Sequence, residues 1–135
     1  MNGLNGFVLD GGRALYRPVG NVTFKEVAAL VLAAIAAARS SAARDLLVDT
    51  TALTGFPSPD TFERFVEVVK WAGEARGEMR LALVARPEMI DPLKLEVRVA
   101  ASRDLVSNIF TTEDEARAWL DARTAGEGDA DRLRK

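Results

Sequence analysis

Three short predicted strands, separated by stretches with the pattern of a helix, restrict the fold of this chain more than any other feature. They lie at residues 46–48 and 79–85, which are largely apolar, and at 106–110. A short run that does not alternate with polar residues is typical of a strand buried on both faces of a parallel sheet. Two parallel strands need a long crossover between them, and the intervening helices supply it. The pattern therefore predicts an α/β domain.

The N-terminal region has a different pattern, that of a hairpin. Apolar runs at 6–9 and 14–17 flank an Asp-Gly-Gly sequence at 10–12. Asp-Gly is among the sequences that tight turns between antiparallel strands favour. We expect an antiparallel hairpin here, joined to the parallel strands that follow.

Helix starts are marked by capping residues. Thr23 and Glu26 have the spacing of a capping box, which predicts a helix from there to about residue 39. Ser58 and Pro59 match the residues favoured at the N-cap and first position of a helix, so they predict the start of a second one. Four apolar residues at helical spacing are its expected buried stripe: Phe62, Phe65, Val66 and Val69.

Residues 91–103 are ambiguous, because Leu93, Leu95, Val97 and Val99 alternate with charged residues as in an exposed strand. The Asp-Pro at the start and the alanines near the end favour a helix, and a helix would also supply the crossover between the flanking strands. We predict a helix. The 111–115 segment is expected to begin a last helix, because its threonines and acids suit a helix N-terminus.

Together these elements predict an α/β fold of order β-β-α-β-α-β-α-β-α. An antiparallel N-terminal hairpin is expected on a mostly parallel central sheet of about five strands, with about four helices. The chain of 135 residues, 48% of them hydrophobic, suits one core. We expect a single domain over residues 1–123 and a charged, disordered tail over 124–135.

The chain contains neither histidine nor cysteine. This excludes Ser-His-Asp and Cys-His catalysis and thiolate metal sites, so we predict a protein that is not an enzyme, with no catalytic residues, metal site or cofactor. Lys and Arg are scattered and the net charge is −2, which argues against nucleic acid. The apolar stretch at 27–38 is too short to cross a bilayer, so we expect no stable membrane insertion and a cytoplasmic location.

Candidate binding residues follow from the rule that open α/β sheets bind ligands beyond the carboxyl ends of their parallel strands. The residues on the expected loops that we select are Asp49, Thr50, Thr51, Phe56, Ser58, Arg86 and Thr111. Hydroxyls and one guanidinium near a helix N-terminus suit an anion. Each polar member also has a structural alternative, because Asp, Ser and Thr commonly cap helices and brace loops.

Three segments of the sequence carry a resemblance to a known family. They are 46–58 (LLVDTTALTGFPS), the strand at 81–85, and 109–120 (IFTTEDEARAWL). Over residues 7–120 the chain resembles the STAS superfamily of sulphate transporters and anti-sigma-factor antagonists, particularly its bacterial SpoIIAA-like branch. The resemblance implies helices layered on a mixed sheet and a regulatory role through a protein partner.

In that family a serine at the start of the second helix is phosphorylated, and the matching position is Ser58, which makes it a candidate phosphosite. The family's Asp-Ser-Ser-Gly is replaced here by Pro-Ser-Pro-Asp, in which each proline removes a backbone amide donor.

Two functions follow as hypotheses. The first is a non-catalytic binding or regulatory module that docks a protein partner or its own copy through the surface around residues 50–60. The alternative is a small-ligand pocket at the strand ends: a lining of Phe56 and Trp71 would favour a lipid-like molecule, and one of Arg86 and hydroxyls an anion. An enzyme using only Ser, Lys or carboxylates ranks third.

Overall fold

The computed structural model describes residues 4–122, which form an α/β fold with four helices and a five-stranded main sheet. The strands are β1 (Phe7–Asp10), β2 (Arg13–Tyr16), β3 (Gly20–Asn21), β4 (Asp45–Asp49), β5 (Leu53–Thr54), β6 (Arg80–Val84) and β7 (Val106–Phe110). The helices are α1 (Phe24–Ser40), α2 (Thr61–Ala75), α3 (Leu95–Ser102) and α4, which begins at 113 and is described as far as 122. The predicted domain boundary at 123 and the tail at 124–135 lie outside the described residues.

The main sheet has the strand order β1-β2-β4-β6-β7. The β1–β2 pair is antiparallel and the other pairs are parallel, which confirms the predicted architecture. A second, parallel pair of β3 and β5 was not expected. Each of these strands has only two residues, too few for a periodic pattern to show.

The two faces of the main sheet have separate cores. Side chains alternate along β4, so Leu46 and Val48 pack in the core with α1, α2 and α3, whereas Leu47 packs with Leu120 of α4 on the other face. The larger core therefore lies between the sheet and the first three helices.

Helix α1 begins where predicted, with reciprocal hydrogen bonds between Thr23 and Glu26. The predicted start of α2 is wrong, because Asp60 and not Ser58 is its N-cap. Asp60 and Glu63 form a second capping box that satisfies two free amides at once. Ser58 therefore lies outside the helix, in the loop before it.

The predicted buried stripe of α2 is also wrong. Phe62 is 72% exposed and Phe65 is 41% exposed, while Val66 and Val69 are only half-buried. The buried residues lie on another side of the helix: Val68, Trp71, Ala72 and Ala75. This side faces α1, where the Trp71 indole N–H donates to the carbonyl of Ala28. Helix α2 thus has two apolar sides, and the one that packs against α1 is the buried one.

The ambiguous segment at 91–103 is helical only over Leu95–Ser102. The carboxylate of Asp91 accepts from the amides of Leu93 and Leu95, and Lys94 has a left-handed φ of 48°. These contacts make a turn before the helix, so α3 starts four residues after Asp91 and Leu93 stays exposed.

An ion network closes the amino edge of the parallel strands. Asp45 pairs in register with Arg13 on one neighbouring strand and Arg80 on the other. Arg80 donates to Asp45 Oδ1, and Arg13 Nη2 lies 3.1 Å from Oδ2. Arg13 continues to Asp121 at 2.8 Å, and Arg80 donates to the carbonyl of Leu120. The network fixes α4 to this edge.

Candidate functional site

A small cavity lies beyond the carboxyl ends of β4, β6 and β7, between the sheet and helices α1 to α3. Its volume is about 80 Å³. Most of the wall is apolar and comes from several elements of the fold: Phe24, Val27, Val31, Phe56, Pro59, Val68, Trp71, Leu83, Ala85, Met89 and Ile109. The polar part of the wall consists of Thr50, Arg64, Arg86 and Glu96.

The loop that covers the cavity is tied to the sheet at its start. The amide and the hydroxyl of Thr50 both donate to the carbonyl of Val84, at 2.8 and 2.9 Å. Further along, Gly55 has a φ of 99°, and a Cβ there would lie 2.5 Å from Asn21 Oδ1. Glycine is therefore required where β5 ends, and the chain then places the Phe56 ring 6.5 Å from that of Phe24.

Arg64 holds the far end of this loop. Its guanidinium donates to the Pro59 carbonyl at 3.1 Å, to Ser58 Oγ at 2.7 Å and to the Met89 carbonyl at 2.8 Å. Its side chain is only 13% exposed, and Nη1 also lies 3.1 Å from Glu96 Oε2. One side chain thus joins the loop, the short 3-10 turn at Pro87–Met89 and helix α3.

Glu96 is the buried acid of this site, with 8% of the residue exposed. Its Oε2 accepts from Arg64, but no residue of the described part of the chain donates to its Oε1. A buried carboxylate oxygen without a donor costs free energy, so it marks a place where a further group would be stabilising.

Three of the residues selected from the sequence line the cavity. They are Thr50, Phe56 and Arg86, of which Arg86 also lies 3.7 Å from Glu88. Ser58 reaches the site indirectly, because its exposed hydroxyl accepts from Arg64. Trp71, which was the sequence-based marker of an apolar pocket, is part of the wall as well.

The other three selected residues have local roles. Asp49 Oδ1 accepts from the amide and the hydroxyl of Thr51 at 2.9 and 2.6 Å, and Thr111 donates to Glu115 at 3.1 Å. Asp49 also influences Glu113, as described next. The structural alternatives considered for these residues are therefore the ones the geometry supports.

Glu113 forms a bidentate pair with Arg17, at 2.8 and 2.9 Å. This pair is the largest cause that lowers the pKa of Glu113 to about 2. Burial opposes the shift, while contacts with Asp49 and with Arg117 lower the pKa further. Arg17 and Glu113 thus join the loop after β2 to the start of α4. This pair lies on the face of the sheet opposite to the cavity.

Arg64 and Glu96 were not selected from the sequence, because 32 residues separate them and no local pattern connects them. One signal was available for Glu96. If 91–103 is helical, the alternation of apolar residues cannot keep every charged residue on the solvent side, and Glu96 lies one turn before the buried Ala100.

Across residues 4–122, no three acidic side chains come together as a metal-binding group, and no helix is both long and apolar enough to span a bilayer. No model of a known protein family matches the chain, and neither the curated proteins nor the solved structures contain a match.

Proposed function

We propose that this chain is a non-catalytic binding domain and that its ligand is a small, largely apolar molecule held in the cavity beneath the 50–60 loop. The observation that carries the proposal is the cavity itself, which lies at the carboxyl edge of the parallel strands and has Phe56 and Trp71 in its wall. Ligand sites in open α/β sheets favour this edge. An anion is less suited, because the hydroxyls of Thr51, Ser58 and Thr111 are absent from the wall.

Filling the cavity tests the proposal. Ala85 lines the cavity, so the three additional carbon atoms of Ala85→Leu should fill part of it. Ala101→Leu adds the same atoms at an exposed position of α3 and serves as the control. Dissolved xenon enters apolar cavities, and we expect it to shift the methyl NMR signals of Val31, Val68 and Ile109 in the wild type and in A101L, but not in A85L.

The biological ligand is then sought by isolating the three proteins identically from cells and comparing the small molecules that each releases on denaturation. We expect a molecule that is enriched on the wild type and A101L and depleted on A85L. Equal sets of released molecules on all three proteins would falsify the proposed function.

A second candidate function is docking of a protein partner or of a second copy of the chain. It is supported by the exposed rings of Phe62 and Phe65, which share a face of α2 directly after the loop. Replacement of Phe62 by Gln is expected to weaken self-association in sedimentation velocity. Val8→Gln, which changes a half-exposed residue on β1, is the control, and a monomeric wild type at all concentrations would exclude the second copy as partner.

Membership of the STAS superfamily belongs to the same proposal, together with a cytoplasmic regulatory role. Its support is the order of elements: an antiparallel hairpin, parallel strands with helices between them, and a final helix behind β7. Ser58 also lies beside the Arg64 guanidinium, which would pair with a phosphate on that hydroxyl.

A further inference from the structure

The hydrogen bonds of the Glu96 carboxylate restrict which polar group a ligand of the cavity can carry. The carboxylate is more than nine-tenths buried, and Arg64 satisfies only one of its two oxygens. The other oxygen, Oε1, has no donor among residues 4–122. Carboxylate oxygens accept hydrogen bonds, so the missing partner must be a donor.

Glu96 contributes to the walls of two cavities. Glu96 lines the cavity of about 80 Å³ and also a smaller one of about 10 Å³ between α2, α3 and the sheet. One water takes about 30 Å³ in the liquid, so the larger cavity holds roughly three groups of that size. The part of a ligand that enters is therefore short, with few carbon atoms and one polar group.

The charges around the cavity decide whether the donor is neutral or cationic. Arg64 and Arg86 both line the wall; Arg64 pairs with Glu96, and Arg86 lies 3.7 Å from Glu88. Arg64 cannot turn away, because Ser58, Pro59 and Met89 also hold its guanidinium. Glu96 is already balanced by Arg64, so an ammonium would place a second cation beside the same buried carboxylate, whereas a hydroxyl or amide N–H supplies the hydrogen bond without added charge.

We propose that the ligand carries a neutral hydrogen-bond donor, a hydroxyl or an amide N–H, on a short apolar group, and that this donor binds Glu96 Oε1. The inference rests on the proposed function, in that it requires the cavity to be a ligand site. It adds the polar group by which the ligand is recognised.

Three small probes of similar size test the inference on the wild-type chain. They are isobutanol, a neutral donor; isobutylamine, a cation at neutral pH; and butanone, which only accepts. Titrations followed by amide NMR shifts of residues around the cavity should give isobutanol at least about tenfold tighter binding than either of the others, the effect of one good hydrogen bond.

Replacement of Glu96 by Gln provides the matched variant. Arg64 only donates, so the amide oxygen must face Arg64 and the NH₂ group takes the place of Oε1. The acceptor in the cavity becomes a donor, and butanone is expected to gain about tenfold relative to isobutanol. Because the ranking of probes on the wild type needs no variant, the inference stays testable even if E96Q folds poorly.

The outcomes separate this inference from the proposed function. Equal binding of isobutanol and butanone to the wild type, or tighter binding of isobutylamine, overturns the neutral donor while xenon uptake still supports the cavity as a site. An unchanged preference in a folded E96Q also overturns it. Failure of every probe and of xenon overturns both.

Discussion

A buried carboxylate lies at each end of the parallel strands, and the two differ in how many of their oxygens accept hydrogen bonds. At the amino edge, both oxygens of Asp45 accept from guanidiniums, Oδ1 from Arg80 and Oδ2 from Arg13. At the carboxyl edge, the guanidinium of Arg64 donates to Oε2 of Glu96, and no group within residues 4–122 donates to Oε1. Their exposed fractions are nearly equal, 6% and 8%, so burial does not distinguish them.

The difference indicates what each group is for. A buried charge with all its partners present stabilises one arrangement of the chain and has nothing left to offer a ligand. A buried charge with a free lone pair is less favourable in the empty protein, and that cost is recovered when a donor arrives. Asp45 is therefore a structural acid, and Glu96 is the acid we propose for binding.

The largest expected effect is that of Asp45→Asn. The substitution keeps the size of the side chain but removes the buried carboxylate that pairs with both Arg13 and Arg80. We expect the free energy of unfolding, measured with urea, to fall by about 3–5 kcal/mol. Asp121→Asn removes the other, 69% exposed partner of Arg13 and should cost below about 1 kcal/mol. A loss for D45N no larger than that of D121N would contradict a structural role.

A smaller effect is expected for Glu96→Gln in the same measurement. Three neutral oxygens continue to accept from Arg64, and the Gln amide oxygen replaces Oε2 as the fourth. We expect a loss of about 1–2 kcal/mol. If E96Q destabilises the protein as much as D45N does, the two acids are equivalent and the comparison fails.

The smallest effect concerns Glu113, a third and more exposed acid at the carboxyl edge. Its pKa is lowered from the ordinary 4.5 to about 2, so its ionised form favours the folded state. This contribution is present above pH 4.5 and is lost as the pH falls towards 2. Arg17→Ala removes the largest cause of the shift, and we expect the pKa to rise towards 4.5 with a shallower loss of stability below that pH.

Carboxyl ¹³C NMR titration of Glu113 checks the pKa directly, and urea unfolding at several pH values below 5 checks the loss of stability. A wild-type Glu113 that titrates at its ordinary pKa would show that the Arg17 pair is not formed in solution.

The sequence predicted the features that depend on neighbouring residues. The Thr23–Glu26 capping box spans one helical turn, and continuous apolar runs mark β4 and β6, so both features are visible in short windows. The start of α2 was predicted wrongly because two capping signals, at Ser58 and Asp60, overlap. The choice between them depends on Arg64, which takes both the Ser58 hydroxyl and the Pro59 carbonyl.

The sequence indicated where the candidate site lies, but only some of the residues that form it. The rule about strand ends located the loops correctly, and Thr50, Phe56 and Arg86 do meet around the cavity. The Arg64–Glu96 pair was missed because it joins two helices that the sequence does not connect. Asp49 ends β4 and acts on Glu113, whereas Thr50, directly after the strand, lines the cavity, so adjacent residues in one motif have different surroundings.

The positions of the two tryptophans have a practical consequence. Trp71 lines the cavity and is 7% exposed, whereas Trp119 packs against Phe110 in the core on the far side of the sheet. In a Trp119→Phe variant the remaining indole sits in the wall of the candidate site. Its emission spectrum would then report occupancy of the cavity optically, with no label attached to the protein.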